Sequence, residues 1–221
     1  VCDDDLWHVG AAGGLARRLT SGLAEASTPC LSPDGRWLAF SAAYERAGEA
    51  YVMPLDGGLP QRLAEAEISL ADAYLAVNLL PEAVALYDRV ASRCAAPEMP
   101  AEQARARLQR AQALARLGEL DRAQADLDEA QRLFGAQDNP ASAALAALQL
   151  AAIELQRGRG PAARTGALAA AQVFDAHALP GWRCEAEVLA AEACAAAGEA
   201  GEARQRFEAG LALPGAGPPP P

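Results

Sequence analysis

One feature constrains this chain more than any other: turn-forming residues recur every forty positions along most of its 221 residues. Asn78, Gly118, Gly158 and Gly198 hold that interval. Ala83, Ala123, Ala163 and Ala203 follow five residues later, and Ala71, Ala111, Ala151 and Ala191 stand seven residues before. A period kept by three positions through four copies marks a stacked-repeat architecture. Gly or Asn can end a helix in the left-handed conformation, and a second helix then starts within a few residues. The alanines fall where the two helices of such a hairpin cross, and a larger side chain there would force the axes apart. Apolar spacing agrees, with Ile68, Tyr74 and Leu75 in one helix and Leu108, Leu114 and Leu117 in another. Pro81, Pro100, Pro140, Pro161 and Pro180 stand at helix starts, where a missing N–H costs nothing. The pattern predicts helix pairs over 64–77 with 81–95, 101–117 with 119–134, 141–157 with 161–177, and 181–197 with 199–212.

The small Ala and Gly positions resemble the motif of the tetratricopeptide (TPR) repeat family. That resemblance implies a mainly α fold, a right-handed α-solenoid of four helix hairpins over residues 64–213. The usual TPR period is about 34 residues. The longer period here is attributed to a longer connection such as Ala136 to Pro140, and it is similar to the repeats associated with caspase-like CHAT domains and bacterial regulators. Tyr74, Tyr87 and Phe207 keep the family's large aromatic positions. Leu127 and Ala167 replace two others, so loose packing is expected in the third repeat.

The first 63 residues follow a different period. Trp7-His8-Val9, Gly13-Gly14-Leu15 and Arg18-Leu19 return 44 positions later as Tyr51-Val52-Met53, Gly57-Gly58-Leu59 and Arg62-Leu63. Each copy reads as a short strand, a Gly-Gly turn and a second short strand. Between them, Pro33, Asp34 and Gly35 spell a tight turn with Gly35 left-handed. Leu38 and Phe40 give the next strand one buried face. With Asp5-Leu6-Trp7 and Ser32-Pro33-Asp34-Gly35-Arg36-Trp37, this segment resembles the WD40-like β-propeller repeat of tricorn-type peptidases and TolB-type proteins. It implies an N-terminal antiparallel β fragment of at most one and a half blades, whereas a closed propeller needs about four. The expected division is therefore a propeller fragment over 1–63, a helical array over 64–213, and a Pro/Gly-rich disordered tail over 214–221. The start lacks an initiator Met and a signal peptide, so the chain is expected to begin inside something longer. The direct junction at Leu63-Ala64 also leaves open a fusion in which the strands have no closed partner structure.

Net charge is −10, and all 19 basic residues are Arg, with 5 of them before Ala64 and no basic run. That excludes a nucleic-acid surface. Without Lys there is no phosphate-binding P-loop, and no Gly-x-Ser-x-Gly elbow occurs. His8 and His177 are the two histidines, and no Cys-x-x-Cys or His-x-x-x-His pair appears, so neither a metal nor a cofactor is expected. Asp3-Asp4-Asp5 reads as a solvated run. Cys184 and Cys194, on one helix about 15 Å apart, cannot bond. The five cysteines read as small buried residues of a reducing compartment, which favours the cytoplasm. The longest apolar run is broken by Gln149 and Glu154, so no membrane span is expected.

What remains is a surface. The TPR resemblance implies that the first helix of each pair lines a concave groove for a partner's peptide, which selects Ser69, Asp72, Arg105, Gln109, Gln112, Arg116, Gln149, Gln156 and Glu192. Arg105, Gln109, Gln112 and Arg116 follow i, i+4, i+7, i+11, one stripe of one helix. That stripe is either an ordinary solvated face or a grip for an acidic, carboxylate-bearing peptide, through bidentate arginine contacts. The expected function is a non-catalytic protein–protein interaction scaffold from a bacterial multidomain protein. The alternative is the non-catalytic part of a larger bacterial peptidase, of tricorn or CHAT type, whose catalytic domain lies elsewhere.

Overall fold

The computed structural model describes residues 5–20, 25–44, 49–56, 60–94 and 99–212. Cys2, Asp3, Asp4, the Gly57-Gly58-Leu59 turn and the 214–221 tail lie outside the described residues. The chain divides into two compact units, Val1–Leu70 and Ala71–Pro221. The division falls inside α1 (Leu63–Ala76).

The first unit is antiparallel β. β1 (Trp7–His8) pairs with β2 (Arg17–Arg18), and β3 (Ala26–Leu31), β4 (Trp37–Ala42), β5 (Glu49–Pro54) and β6 (Gln61–Arg62) form a four-stranded meander in chain order. The repeat of 44 seen in the sequence is a repeat of register. Trp7 opposes Arg18 and His8 opposes Arg17, while Tyr51 opposes Arg62 and Val52 opposes Gln61. Gly13 and Gly14 both take positive φ in the first copy's turn. The turn before β4 forms as its residues dictate. The Gly35 amide donates to the Ser32 carbonyl at 2.9 Å, and Gly35 has φ 68°. Asp34 Oδ1 accepts from the Arg36 amide at 3.1 Å and from the Ser32 hydroxyl, and these bonds hold its carboxyl below the ordinary carboxylate range. Leu38, Phe40, Tyr51 and Met53 form the buried face, with the Phe40 and Tyr51 rings stacked 6.0 Å apart.

The reading of the acidic run as solvated is corrected at Asp5. Its carboxylate is buried and accepts from Thr20 Oγ1 at 2.8 Å while pairing with Arg18, so it ties the β1 segment to the chain following β2. Among the described residues Cys30, Cys184 and Cys194 are free thiols. Cys94 and Cys194 are buried, as expected for small core residues, but Cys30 is exposed on β3, the strand at one edge of the sheet.

The second unit stacks α2 (Leu80–Arg93), α3 (Pro100–Arg116), α4 (Leu120–Ala136), α5 (Pro140–Gln156), α6 (Gly160–Ala176), α7 (Pro180–Ala196) and α8 (Ala200–Leu211) on the end of α1. The helix pairs match the expected ones to within two residues at every end. Asn78, Gly118, Gly158 and Gly198 all take left-handed φ, between 61° and 80°. Each closes a Schellman turn: the Gly118 amide donates to the Ala115 carbonyl and the Glu119 amide reaches back to Leu114 at 2.9 Å. None of the helices in the described residues is long and apolar enough to cross a membrane.

Two expectations need correction here. The long period does not come from a long connection. α3 to α7 are each 17 residues, and every turn among them spans three, whether inside a hairpin or between hairpins. The turns between hairpins use the same left-handed geometry, at Asp138 (φ 53°) and Ala178 (φ 54°), with their own Schellman bonds. The repeating physical unit is therefore one helix and one turn, twenty residues long. Nor is the third repeat loose. Leu127 and Ala167 are buried, and Gly166 lies so near α5 that a Cβ there would meet the Ala151 Cβ at 3.1 Å. Small residues bring α5 and α6 close, so the missing aromatic leaves no gap.

Candidate functional site

α3, α5 and α7 are the first helices of successive hairpins, and each packs beside the next. Between them runs a groove of about 510 Å³. Leu127, Leu148 and Ile153 form a buried floor. Leu145, Trp182, Val188 and Leu189 add apolar wall, and the Trp182 ring is steadied against Phe174 at 6.3 Å.

Five of the nine residues selected from the sequence line this groove: Gln112 and Arg116 from α3, Gln149 and Gln156 from α5, and Glu192 from α7. Gln149 holds the centre. Its Nε2 is buried with no hydrogen-bond partner among the described residues. A buried donor left unsatisfied costs roughly 1–3 kcal/mol, and with almost no surface of its own the Nε2 atom meets an incoming acceptor only once the side chain turns outward.

Three others form a separate cluster. Asp72 accepts from the buried Tyr87 hydroxyl at 2.5 Å, from Gln109 Nε2 at 3.4 Å and from Arg105 Nη2 at 3.4 Å. Burial and the adjacent carboxylate push the Tyr87 hydroxyl well above the ordinary phenol range, so it stays a donor. Arg105 and Gln109 thus brace α3 against the end of α1. Ser69 falls in the first unit, where its hydroxyl donates to the Glu65 carbonyl at 2.9 Å. Arg116 donates to the Leu75 carbonyl at 3.3 Å through one nitrogen. The rest of its five-donor fork belongs to the exposed groove wall.

The stripe chosen on α3 therefore splits, with its first half facing Asp72 and its second half facing the groove. Groove residues that were missed follow from the same period. Shifting Arg105 by forty and eighty reaches Leu145 and Glu185, and shifting Gln109 by eighty reaches Leu189. Glu185 is exposed by area. Its position among the apolar wall residues still strips away enough water to push its carboxyl above the usual range.

A second cluster could be mistaken for a metal site. Cys194, Glu199 and Glu202 bring one ligand atom each within 4.8 Å of the others. Arg164 Nη1 already stands among them, at 4.0, 2.6 and 3.3 Å, so the guanidinium supplies the positive charge. A third feature is internal. The Asp126 carboxylate, 3% exposed, is clamped by both oxygens of its fork to Arg110 at 2.6 Å and by Oδ1 to Arg107 at 3.0 Å.

Comparison with known proteins finds different relatives for different parts of the chain. The family model of the Tricorn protease N-terminal beta propeller domain matches residues 1–67. Tricorn protease homolog 2 of Streptomyces coelicolor, a bacterial protein, is 39% identical over 64 residues, which are 28% of this chain and 6% of that protein's length. Among solved structures, a Rap protein complexed with Competence and Sporulation Factor superposes with a TM-score of 0.63 at 15% identity, covering 67% of this chain and 41% of that one. TPR-like repeats of a Podosopora anserina kinesin light chain superpose with a TM-score of 0.55 at 20% identity, covering 67% and 73%. This chain thus joins a segment similar to the tricorn N-terminal propeller to a helical array with the fold of TPR-like repeats.

Proposed function

We propose that the chain is a non-catalytic scaffold that takes a peptide of a partner protein in the groove between α3, α5 and α7. The observation that carries the reading is the groove itself: an apolar floor about 510 Å³ in volume, with the unsatisfied Gln149 amide at its centre. Amides such as Gln112, Gln149 and Gln156 suit the backbone of an extended segment, because each offers both a donor and an acceptor. Apolar walls supply affinity, and polar groups at fixed points supply orientation. A Rap protein of similar fold was solved complexed with Competence and Sporulation Factor, which favours a binding role for the array. An acidic partner finds Arg116 in the groove, whereas Arg105 would have to give up Asp72 first.

Ala152 lines the middle of the groove on α5. Replacing it with Trp fills the groove without touching the helix crossings. An array of random peptides probed with both proteins tests the proposal. Peptides bound by the parent and lost in Ala152→Trp, with helix content unchanged by circular dichroism, support it. Binding that survives the substitution removes the groove from the account.

A second reading is favoured by the match over residues 1–67: the chain is the non-catalytic part of a larger bacterial peptidase. The genomic reading frame decides it. Further propeller blades ahead of residue 1, or a catalytic domain after the array, would place the groove in such an enzyme.

A further inference from the structure

The groove is electrically polarised. Positions equivalent by the forty-residue period change character from helix to helix, from Leu145 to Glu185 along one row and from Gln112 to Ala152 to Glu192 along another. At the α3 end stands Arg116. At the α7 end stand Glu185 and Glu192, seven residues apart and therefore on one face two turns apart. No salt bridge is found for either glutamate among the described residues, although eleven of the array's arginines are paired with other carboxylates in this unit. Between the two ends lie apolar side chains and the Gln149 amide.

We propose that the occupant is a short extended segment with a cationic side chain over Glu185 and Glu192, an apolar side chain on Leu145 and Leu189, and a carboxylate at Arg116. This deepens the peptide-groove reading and rests on it. Helices packed side by side stand about 8–10 Å apart, so crossing from α7 to α3 takes roughly 20 Å. An extended chain covers that in about six residues at ~3.3 Å each. The polarity fixes direction as well as composition, because a segment with its charges exchanged would place like charges at both ends. Partial desolvation of Glu185 strengthens the selection, since a carboxylate short of water gains more from an incoming cation.

The test uses the full chain and two fluorescent seven-residue peptides of identical composition. One carries arginine first, leucine in the middle and glutamate last, and the other exchanges arginine and glutamate. Both are made with capped ends, so that no terminal charge competes with the side chains. Fluorescence anisotropy should show at least tenfold tighter binding for one charge orientation, shrinking as salt rises from 50 to 500 mM (about 14 to 4 Å of screening length). Glu185→Arg/Glu192→Arg with Arg116→Glu should invert that preference. If both peptides bind equally, and Ala152→Trp abolishes the binding, the groove stands and the polarity falls. If none binds, or if binding ignores Ala152→Trp, the groove reading falls with it.

Discussion

Asp126 is where a single atom group has the largest consequence for the array. Both its oxygens are committed, to Arg110 through Nε and Nη2 and to Arg107 through Nη1, and Arg110 is pinned a second time by Asp88 of α2. One carboxylate thus joins α4 to α3, and through Arg110 to α2. The Asp126 hydrogen bonds hold the Arg110 guanidinium above even its usual basicity. In Asp126→Ala, two guanidiniums lose their shared acceptor, and the Arg110 side chain is only 13% exposed. Removing one partner of a buried ion pair costs about 3–5 kcal/mol. Asp88 remains beside Arg110, and Arg107 can turn toward water, so the lower end, about 3 kcal/mol, is the expected loss. With a urea m-value of about 1–3 kcal/mol/M, the midpoint of helix loss at 222 nm should fall by about 1–3 M. Replacing Asp126 with Leu and Arg110 with Met together should recover much of that loss, since no charge is then left buried. A shift below about 0.3 M for Asp126→Ala would refute the reasoning.

Other outcomes follow from the turns and the groove wall. Ala178 holds a left-handed φ of 54° where the turns inside the later hairpins hold Gly118, Gly158 and Gly198. Left-handed Ala costs roughly 1–2 kcal/mol, and glycine's extra unfolded-state entropy returns part of it. Ala178→Gly should therefore stabilise by about 0.5–1 kcal/mol and Gly118→Ala should destabilise by about 1 kcal/mol, both measurable by urea titration. Gly166→Val should cost about 1–3 kcal/mol by overpacking against Ala151, seen as a lower melting temperature. Glu185 has a raised pKa, so the folded chain holds that proton more tightly than the unfolded chain. Its contribution is favourable while it is protonated and is lost as pH rises through the raised value, above 4.5. Glu185→Gln should melt higher than the parent at neutral pH, with the difference vanishing as pH falls through that pKa. A constant difference across the range would contradict the desolvation argument.

The sequence made the helical frame legible because glycine is conspicuous. Gly118, Gly158 and Gly198 announce a left-handed turn by residue type alone. Asp138 and Ala178 adopt the same geometry without glycine, so the twenty-residue unit stayed hidden behind a forty-residue one. The strand repeat was readable for a related reason: Trp7 and Tyr51, or Arg18 and Arg62, hold matching places in a register that only pairing reveals. Asp126 was missed because an acidic residue reads as surface. Yet it stands three residues after Ala123 and four before Ala130, on the buried stripe of α4, where a polar residue signals an internal partner. In the groove, choosing residues by polarity found Gln112, Arg116, Gln149, Gln156 and Glu192. It passed over Leu145, Leu189 and Trp182, whose apolar surface gives a ligand its contact area. Arg105 lies on the same helical stripe as Arg116, and no sequence rule tells that Asp72 neutralises it.

The central claim is that partners enter between α3, α5 and α7, and site-specific photocrosslinking reads that location directly. A benzophenone side chain placed at Gln156, on the groove, and at Arg132, exposed on α4 outside it, would be activated in the cells that make the protein. The account predicts a protein adduct from position 156 that Ala152→Trp removes, and none from position 132. An adduct from position 132 with none from position 156 would contradict it, placing the interaction on the outer helices instead.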